Sequence, residues 1–159
     1  MTEKEKDLLL KDICARLPYG VKGKCEIDAS YDTSFDTIFQ THKFDAVVYG
    51  LTEDSLFVTP LIEDEDEQSF AEEEVADGVD ILDFTPYLFP PSSMTEEQKQ
   101  YLKNRFCYDW DGEPYDLWKC QIEIVDTEEL IDWFNKNRFD YRGLIPTGLA
   151  IDATVLNIY

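Results

Sequence analysis

The fold class of this chain is decided by residues 46–61, which read AVVYGLTEDSLFVTPL. Two runs of apolar, β-branched and aromatic residues, Ala46 to Leu51 and Leu56 to Leu61, flank the polar residues 52–55. Such runs separated by a short polar turn are typical of a β-hairpin. Although the turn has no glycine, the stretch predicts two antiparallel strands and therefore an antiparallel sheet.

A capped helix and a further strand precede this hairpin. Thr2 and Glu5 have the spacing of a capping box, and residues 18–20 contain the Pro and Gly that end the helix. The apolar residues on one side of the helix are Leu9, Ile13 and Leu17, with Leu10 and Cys14 beside them. Residues 21–27 alternate and predict a strand, whereas residues 29–43 are rich in turn formers and ambiguous.

Further helices and strands are predicted in the second half of the chain. Thr95 with Gln98 and Asp126 with Glu129 have the spacing of helix caps. The apolar faces of these two helices comprise Tyr101, Leu102 and Phe106, and then Leu130, Ile131 and Phe134. Strands are predicted at residues 118–124, after a hairpin turn at Asp111-Gly112, and at the edge of the sheet in residues 155–158. Residues 81–89 are again apolar and end at the break of Pro90-Pro91.

Together these elements predict one compact α+β domain over residues 1–159, with a mainly antiparallel sheet and about three helices. Strands and helices do not alternate strictly along the chain, which disfavours a parallel nucleotide-binding sheet. Residues 62–80 are predicted to be an acidic, solvated loop, with the option of a short helix around Phe70 to Val75.

The charge of the chain excludes several ligand classes. With 35 Asp and Glu against 14 Lys and Arg, the formal net charge is -21, and nucleic acid and anionic membranes are repelled. The excess is local, because residues 44–98 contain 16 acids and no Lys or Arg. The first residues lack the features of a secretion signal, so a cytoplasmic location is expected.

No motif points to catalysis, a metal or a cofactor. The four cysteines and the single His42 lack zinc spacing, and buried, reduced thiols and a solvated loop histidine are expected. Asp109, Asp111 and Asp116 resemble part of a calcium loop, but its other ligands are missing and a hairpin turn is favoured. No cofactor is therefore predicted.

Three segments together resemble a known group of proteins. They are residues 8–21 (LLLKDICARLPYGV), residues 86–97 (PYLFPPSSMTEE), and DWFN at 132–135 running into FDYRGLIP at 139–146. This combination resembles small hypothetical proteins of gut Bacteroides-type bacteria and of their phages and mobile elements. The resemblance implies a biological context and no mechanism. Relatives often have two histidines where this chain has Asn137 and Arg138, which argues against a histidine-based site there.

Two sets of residues are candidates for binding a partner. The first set consists of carboxylates in the acidic segment: Glu63, Asp64, Glu65, Asp66, Glu67, Glu72, Glu73 and Glu74. They could bind a basic protein or divalent cations, or simply solvate a loop. The second set is Tyr141 and Arg142, either a contact surface with an anion clamp, or a core anchor and a structural ion pair; the latter is favoured.

The charge favours a non-enzymatic cytosolic protein that binds a basic partner through an acidic surface. A sharper version is an inhibitor from a phage or mobile element that mimics the charge of nucleic acid. An enzyme of unknown chemistry and an accessory subunit of an oligomer are the alternatives, and neither the partner nor the oligomeric state follows from the sequence.

Overall fold

The computed structural model describes residues 1–32, 37–52, 54–106 and 124–159. Helices in these ranges are α1 (Glu3–Arg16), α2 (Glu65–Glu74), α3 (Glu96–Arg105) and α4 (Ile124–Lys136). Strands are β1 (Val21–Asp32), β2 (Thr37–Leu51), β3 (Ser55–Pro60), β4 (Val79–Asp80), β5 (Phe84–Leu88) and β6 (Ile151–Asp152). Short 3₁₀ turns occupy Leu17–Tyr19, Ile81–Asp83 and Pro91–Ser93.

The strands form one sheet in the order β4-β3-β2-β1-β5-β6. All neighbouring pairs are antiparallel except β5 and β6, which are parallel. The predicted α+β domain with a mainly antiparallel sheet is therefore confirmed.

The hairpin predicted at residues 46–61 is the β2–β3 pair. Ala46 lies opposite Pro60 and Val48 opposite Val58, and the register shifts at a bulge between Val48 and Gly50. The turn needs no glycine because Thr52 closes it twice: its N–H donates to the Ser55 carbonyl at 2.8 Å, and its Oγ1 accepts from the Ser55 N–H at 3.2 Å.

Strand β2 is much longer than the sequence indicated. It pairs with β1 from Val21 opposite Val48 to Asp32 opposite Thr37, so much of the ambiguous stretch 29–43 belongs to strands. On one face of this long hairpin, alternate side chains are buried. These residues are Val21 and Cys25 of β1 and Phe44, Ala46 and Val48 of β2.

Helix α1 begins as predicted, with a complete capping box between Thr2 and Glu5. Its Leu9 and Ile13 are buried in the main core, which also contains the inward residues of β1, β2 and β3. Cys14 is exposed, so the prediction that it is buried is wrong. It lies one position beyond Ile13, and a 100° step along a helix moves a side chain off the buried stripe.

A second apolar cluster lies between α3 and α4. Helix α3 has the predicted capping box of Thr95 and Gln98. The buried members of this cluster are Met94, Leu102, Phe106, Leu130, Phe134 and Phe139. Helix α4 starts at Ile124, two residues before the predicted cap at Asp126, so the strand predicted to end at residue 124 cannot include that residue. The rest of that strand and the turn at Asp111-Gly112 lie outside the described residues.

The edge strand predicted at residues 155–158 is wrong in position. Residues 155–158 form no strand; instead Ile151–Asp152 is β6, in which Ile151 pairs with Tyr87 of β5. Beyond β6 the Ala153 N–H donates to the Leu88 carbonyl at 2.8 Å, and a turn follows. The apolar character of Val155 does not reflect burial, since this side chain is 90% exposed.

Candidate functional site

The acidic segment contains helix α2 (Glu65–Glu74), so residues 65–74 are not a loop, and the short helix allowed for around Phe70 to Val75 begins earlier than predicted. Asp64 caps α2 by accepting from the N–H groups of Asp66 and Glu67 at 3.1 and 3.0 Å. Carboxylates in the first turn also favour helix formation, because they face the positive end of the helix dipole. Few apolar residues are needed to hold a helix of this length, and Ala71 and Val75 are buried in the main core.

Gln68 ties the helix to the chain that leaves the sheet. Its Oε1 accepts from the Ile62 N–H at 3.1 Å, and its Nε2 donates to Glu72 at 2.5 Å. The helix is thereby fixed both by apolar burial and by a hydrogen bond to the end of the β2–β3 hairpin.

All eight predicted carboxylates are exposed, and we call this set the acidic surface: Glu63, Asp64, Glu65, Asp66, Glu67, Glu72, Glu73 and Glu74. Within the described residues, none of the eight forms an ion pair with Lys or Arg. Other acids do: Asp54 pairs with Lys6 at 3.2 Å, and Glu96 pairs with Lys99 at 2.8 Å.

The six carboxylates on the helix itself fall into two groups of three, residues 65–67 and 72–74. Each member of the first group is seven positions before a member of the second. Seven residues are close to two turns, so the paired side chains project in nearly the same direction about 10.5 Å apart along the axis. The helix therefore repeats the same pattern of negative charge at two levels.

The second group is in an unfavourable position. Residues 72–74 end the helix, and its last turn contains no basic residue. The negative end of the helix dipole opposes each carboxylate there by about 0.3–1 kcal/mol at an exposed site. Cations from a partner would remove this repulsion.

A groove of about 540 Å³ lies between α2 and the β1–β2 hairpin. Its apolar part includes Ile27, Phe44 and Ile62, and its aromatic part is the ring pair of His42 and Phe70. These two rings are 5.1 Å apart between centroids. Asp66 and Glu67, both part of the acidic surface, also line the groove. This volume is in the range of small-molecule sites.

His42 was expected in a solvated loop, and that expectation is wrong. It lies in β2 directly opposite Ile27 of β1, two positions before the buried Phe44, and is half-buried. The alternation of a strand places it on the same face as Phe44. The sequence hid this because Gln40, Thr41 and Lys43, on either side of it, are polar; the period of two with Phe44 and Ala46 was the available signal.

Tyr141 and Arg142 lie at a different place in the fold from the acidic surface. The Arg142 guanidinium stacks on the Tyr141 ring at 4.8 Å, and its Nε is 3.3 Å from Asp12 Oδ1 in α1. The Tyr141 ring lies 5.6 Å from that of Phe134 in α4. These contacts agree with the favoured structural alternative, an anchor and an ion pair; partner binding by the two residues stays a prediction.

The segment around them joins three elements. Asp140 is buried and its carboxylate accepts from the N–H groups of Leu144 and Ile145, each at 2.8 Å. Its own N–H donates to the Phe89 carbonyl at 2.8 Å, just beyond β5. The Phe139 carbonyl accepts from Arg16 of α1 at 2.8 Å. The FDYRG stretch is thus a junction of α1, α4 and the sheet.

Metal-binding groups and thiols can be assessed at the described residues. The described residues contain no group of three or more His, Cys, Asp or Glu arranged to hold a metal ion. The incomplete calcium loop at residues 109–116, Cys107 and Cys120 lie outside the described residues. Burial, followed by the charges of Asp83 and Asp45, raises the pKa of the Cys25 thiol to about 12, as expected for an inert core thiol.

Comparison of the chain with protein-family models, with curated proteins and with solved structures gives no match. Among the described helices, none is both long and apolar enough to span a membrane.

Proposed function

We propose that this protein binds a basic protein through the acidic surface and acts in the cytosol without catalysis. The observation that carries the proposal is the folded state of α2, whose exposed carboxylates have no cationic partner among the described residues. A loop with the same composition would need to lose conformational entropy on binding, whereas a docked helix presents its charges already in place.

The charge pattern favours a partner that normally binds nucleic acid. The two carboxylate groups on α2 place negative charge at two levels about 10.5 Å apart on a folded element, and the backbone of nucleic acid likewise presents a dense row of negative charges. A groove lined with Lys and Arg would attract either of them. With the resemblance to proteins of phages and mobile elements, this supports an inhibitor that occupies a basic groove in place of nucleic acid.

The acidic surface would act on rate as well as on affinity. Uncompensated charge of one sign steers an oppositely charged partner into encounter, and salt screens this attraction over about 8 Å at physiological ionic strength. The complex should therefore weaken steeply as salt is added, and nucleic acid should compete with it.

The experiment compares three forms of the protein in capture from a Bacteroides-type lysate at low salt. They are the wild type, the variant Glu72→Gln/Glu73→Gln/Glu74→Gln, and a control with the same loss of charge elsewhere. The control is Glu3→Gln/Asp7→Asn/Glu97→Gln, whose three carboxylates are all exposed. Bound proteins are identified by mass spectrometry, and elution is followed with salt and with duplex DNA.

We expect a nucleic-acid-binding protein that is retained by the wild type and the control, is lost from the α2 variant, and is displaced by DNA. Equal retention of the partner by the α2 variant and the control would show that binding depends on the net charge of the protein and not on the carboxylates of α2. Capture of no basic protein by the wild type would reject the proposal itself.

A further inference from the structure

We infer that the groove between α2 and the β1–β2 hairpin is the anchor pocket for one arginine side chain of the basic partner. The inference rests on the proposed function, because it names the side chain by which the partner docks beside the acidic surface. Its own evidence is the shape and chemistry of the groove.

The groove combines the two surfaces that a guanidinium needs. Asp66 and Glu67 project from the first turn of α2, are exposed, and line the groove next to the apolar part. Their N–H groups are used by the Asp64 cap, while their carboxylates have no hydrogen bond or ion pair in the described part of the chain. Two acceptors on adjacent residues suit the forked donors of arginine.

The aromatic part of the groove selects arginine over lysine. His42 and Phe70, whose rings are tilted by 45° to each other, both line the groove together with aliphatic side chains. A guanidinium is planar and weakly hydrated and stacks on rings, whereas an ammonium is a compact, strongly hydrated charge. The methylene stem of arginine would cover Ile27 and Ile62, which are only partly buried.

Among the described residues, one cation, Lys43, also lines the groove, but its side chain is paired with a different carboxylate. Lys43 precedes Phe44, and its side chain pairs with Glu26 at 2.8 Å. Glu26 is directly opposite Lys43 in the β1–β2 register, whereas Ile27 is opposite His42. Because successive residues of a strand face opposite sides, the Lys43–Glu26 pair lies on the other face of the sheet. The described ion pair of its ammonium group is therefore with Glu26 and not with Asp66 or Glu67.

The test uses N-acetyl-arginine methylamide as the probe, with the citrulline and lysine analogues as matched controls. Citrulline keeps the planar shape of the arginine side chain but is uncharged, and lysine keeps the positive charge but has no planar guanidinium group. Binding is followed by ¹H–¹⁵N chemical-shift titration of the whole protein. We expect saturable shifts with arginine at Ile27, His42 and Phe70, and at least about tenfold weaker binding of either analogue.

Two variants of equal charge locate the site. Asp66→Asn/Glu67→Gln removes the two carboxylates of the groove, and Glu73→Gln/Glu74→Gln removes two from the far end of the same helix. We expect the first to weaken arginine binding about tenfold and the second to weaken it less than about twofold. Phe70→Leu, which keeps an apolar residue in the groove, should abolish the preference for arginine over lysine.

The outcomes separate this inference from the proposed function. Equal binding of the three amides, shifts outside the groove, or equal weakening by the two double variants would overturn the anchor pocket. If the partner is still captured in those cases, the proposed function stands without an anchor. If the amide binds in the groove but no basic protein is captured, the pocket stands and the proposed partner class is wrong.

Discussion

Removal of Asp12 should be one of the most destabilising single changes in this protein. Asp12 and Arg16 are 0% and 2% exposed, and they form a bidentate pair with distances of 2.7 Å to Nε and 3.0 Å to Nη2. Arg16 also donates to the Phe139 carbonyl at 2.8 Å. The pair therefore joins α1 to the FDYRG stretch that follows α4.

The expected magnitude follows from the charge that Asp12→Ala leaves behind. Arg16 would stay buried without its carboxylate, and the Arg142 guanidinium, with its Nε now 3.3 Å from Asp12 Oδ1, would lose the same partner. Breaking a buried ion pair from one side costs about 3–5 kcal/mol. For a domain of this size, the midpoint of thermal unfolding should fall by about 6–20 °C.

The assay is equilibrium unfolding in urea, followed by circular dichroism, with the free energy of unfolding extrapolated to water. Glu96→Ala serves as a control because it breaks a pair in which the glutamate side chain is 90% exposed. Such a pair contributes less than about 1 kcal/mol. Asp12→Leu/Arg16→Met removes both charges, and it should be more stable than Asp12→Ala.

A loss of less than about 1 kcal/mol for Asp12→Ala, equal to that of the control, would refute the assignment of a buried, uncompensated charge. A double variant as unstable as the single one would place the loss in packing and not in electrostatics.

Three further predictions concern the sheet and its flanks. Gly23→Ala should lower the free energy of unfolding by about 1–3 kcal/mol, measured in urea, because its Cβ would lie 2.4 Å from Phe84 Cζ; unchanged stability would contradict this close approach. Iodoacetamide at pH 8, with peptide mapping by mass spectrometry, should label the exposed Cys14 and spare the buried Cys25, whose pKa is about 12; equal labelling would contradict the fold. Burial and neighbouring aspartates raise the pKa of Asp83, so its ionisation disfavours folding above that pKa. Asp83→Asn should therefore stabilise the protein at pH 7. It should not do so at pH 3, because the Asp83 carboxyl of the wild type is then protonated in both the folded and the unfolded state. An equal effect at both pH values would contradict this prediction.

Local signals in the sequence predicted several elements correctly. The capping boxes at Thr2 and Thr95 were found because both partners of each hydrogen bond lie within three residues. The hairpin at residues 46–61 was found because the chain turns back at once, so the strands that pair are also neighbours in sequence.

Of the candidate site, the sequence predicted the acidic residues but not the groove beside them. The carboxylates of the acidic surface were visible from composition alone. The groove was not, because it is formed by His42 of β2 and Phe70 of α2, and nothing in the sequence relates these two positions. Asp12 and Arg16 have the spacing of an ordinary surface ion pair on a helix, and only the residues that cover them make that pair buried.

The sequence by itself determined the fold class, the capped ends of α1 and α3, and the concentration of negative charge between residues 44 and 98. The tertiary structure decided between the loop and the helix that the sequence left open for the acidic segment, because burial of Ala71 and Val75 in the main core adds to the local cap of α2. It also decided that Ile151–Asp152 forms a strand parallel to β5, since Tyr87 and Ile151 meet only when the intervening residues have folded. Contacts between distant residues depend on the free energy of the whole chain, and no short pattern encodes them.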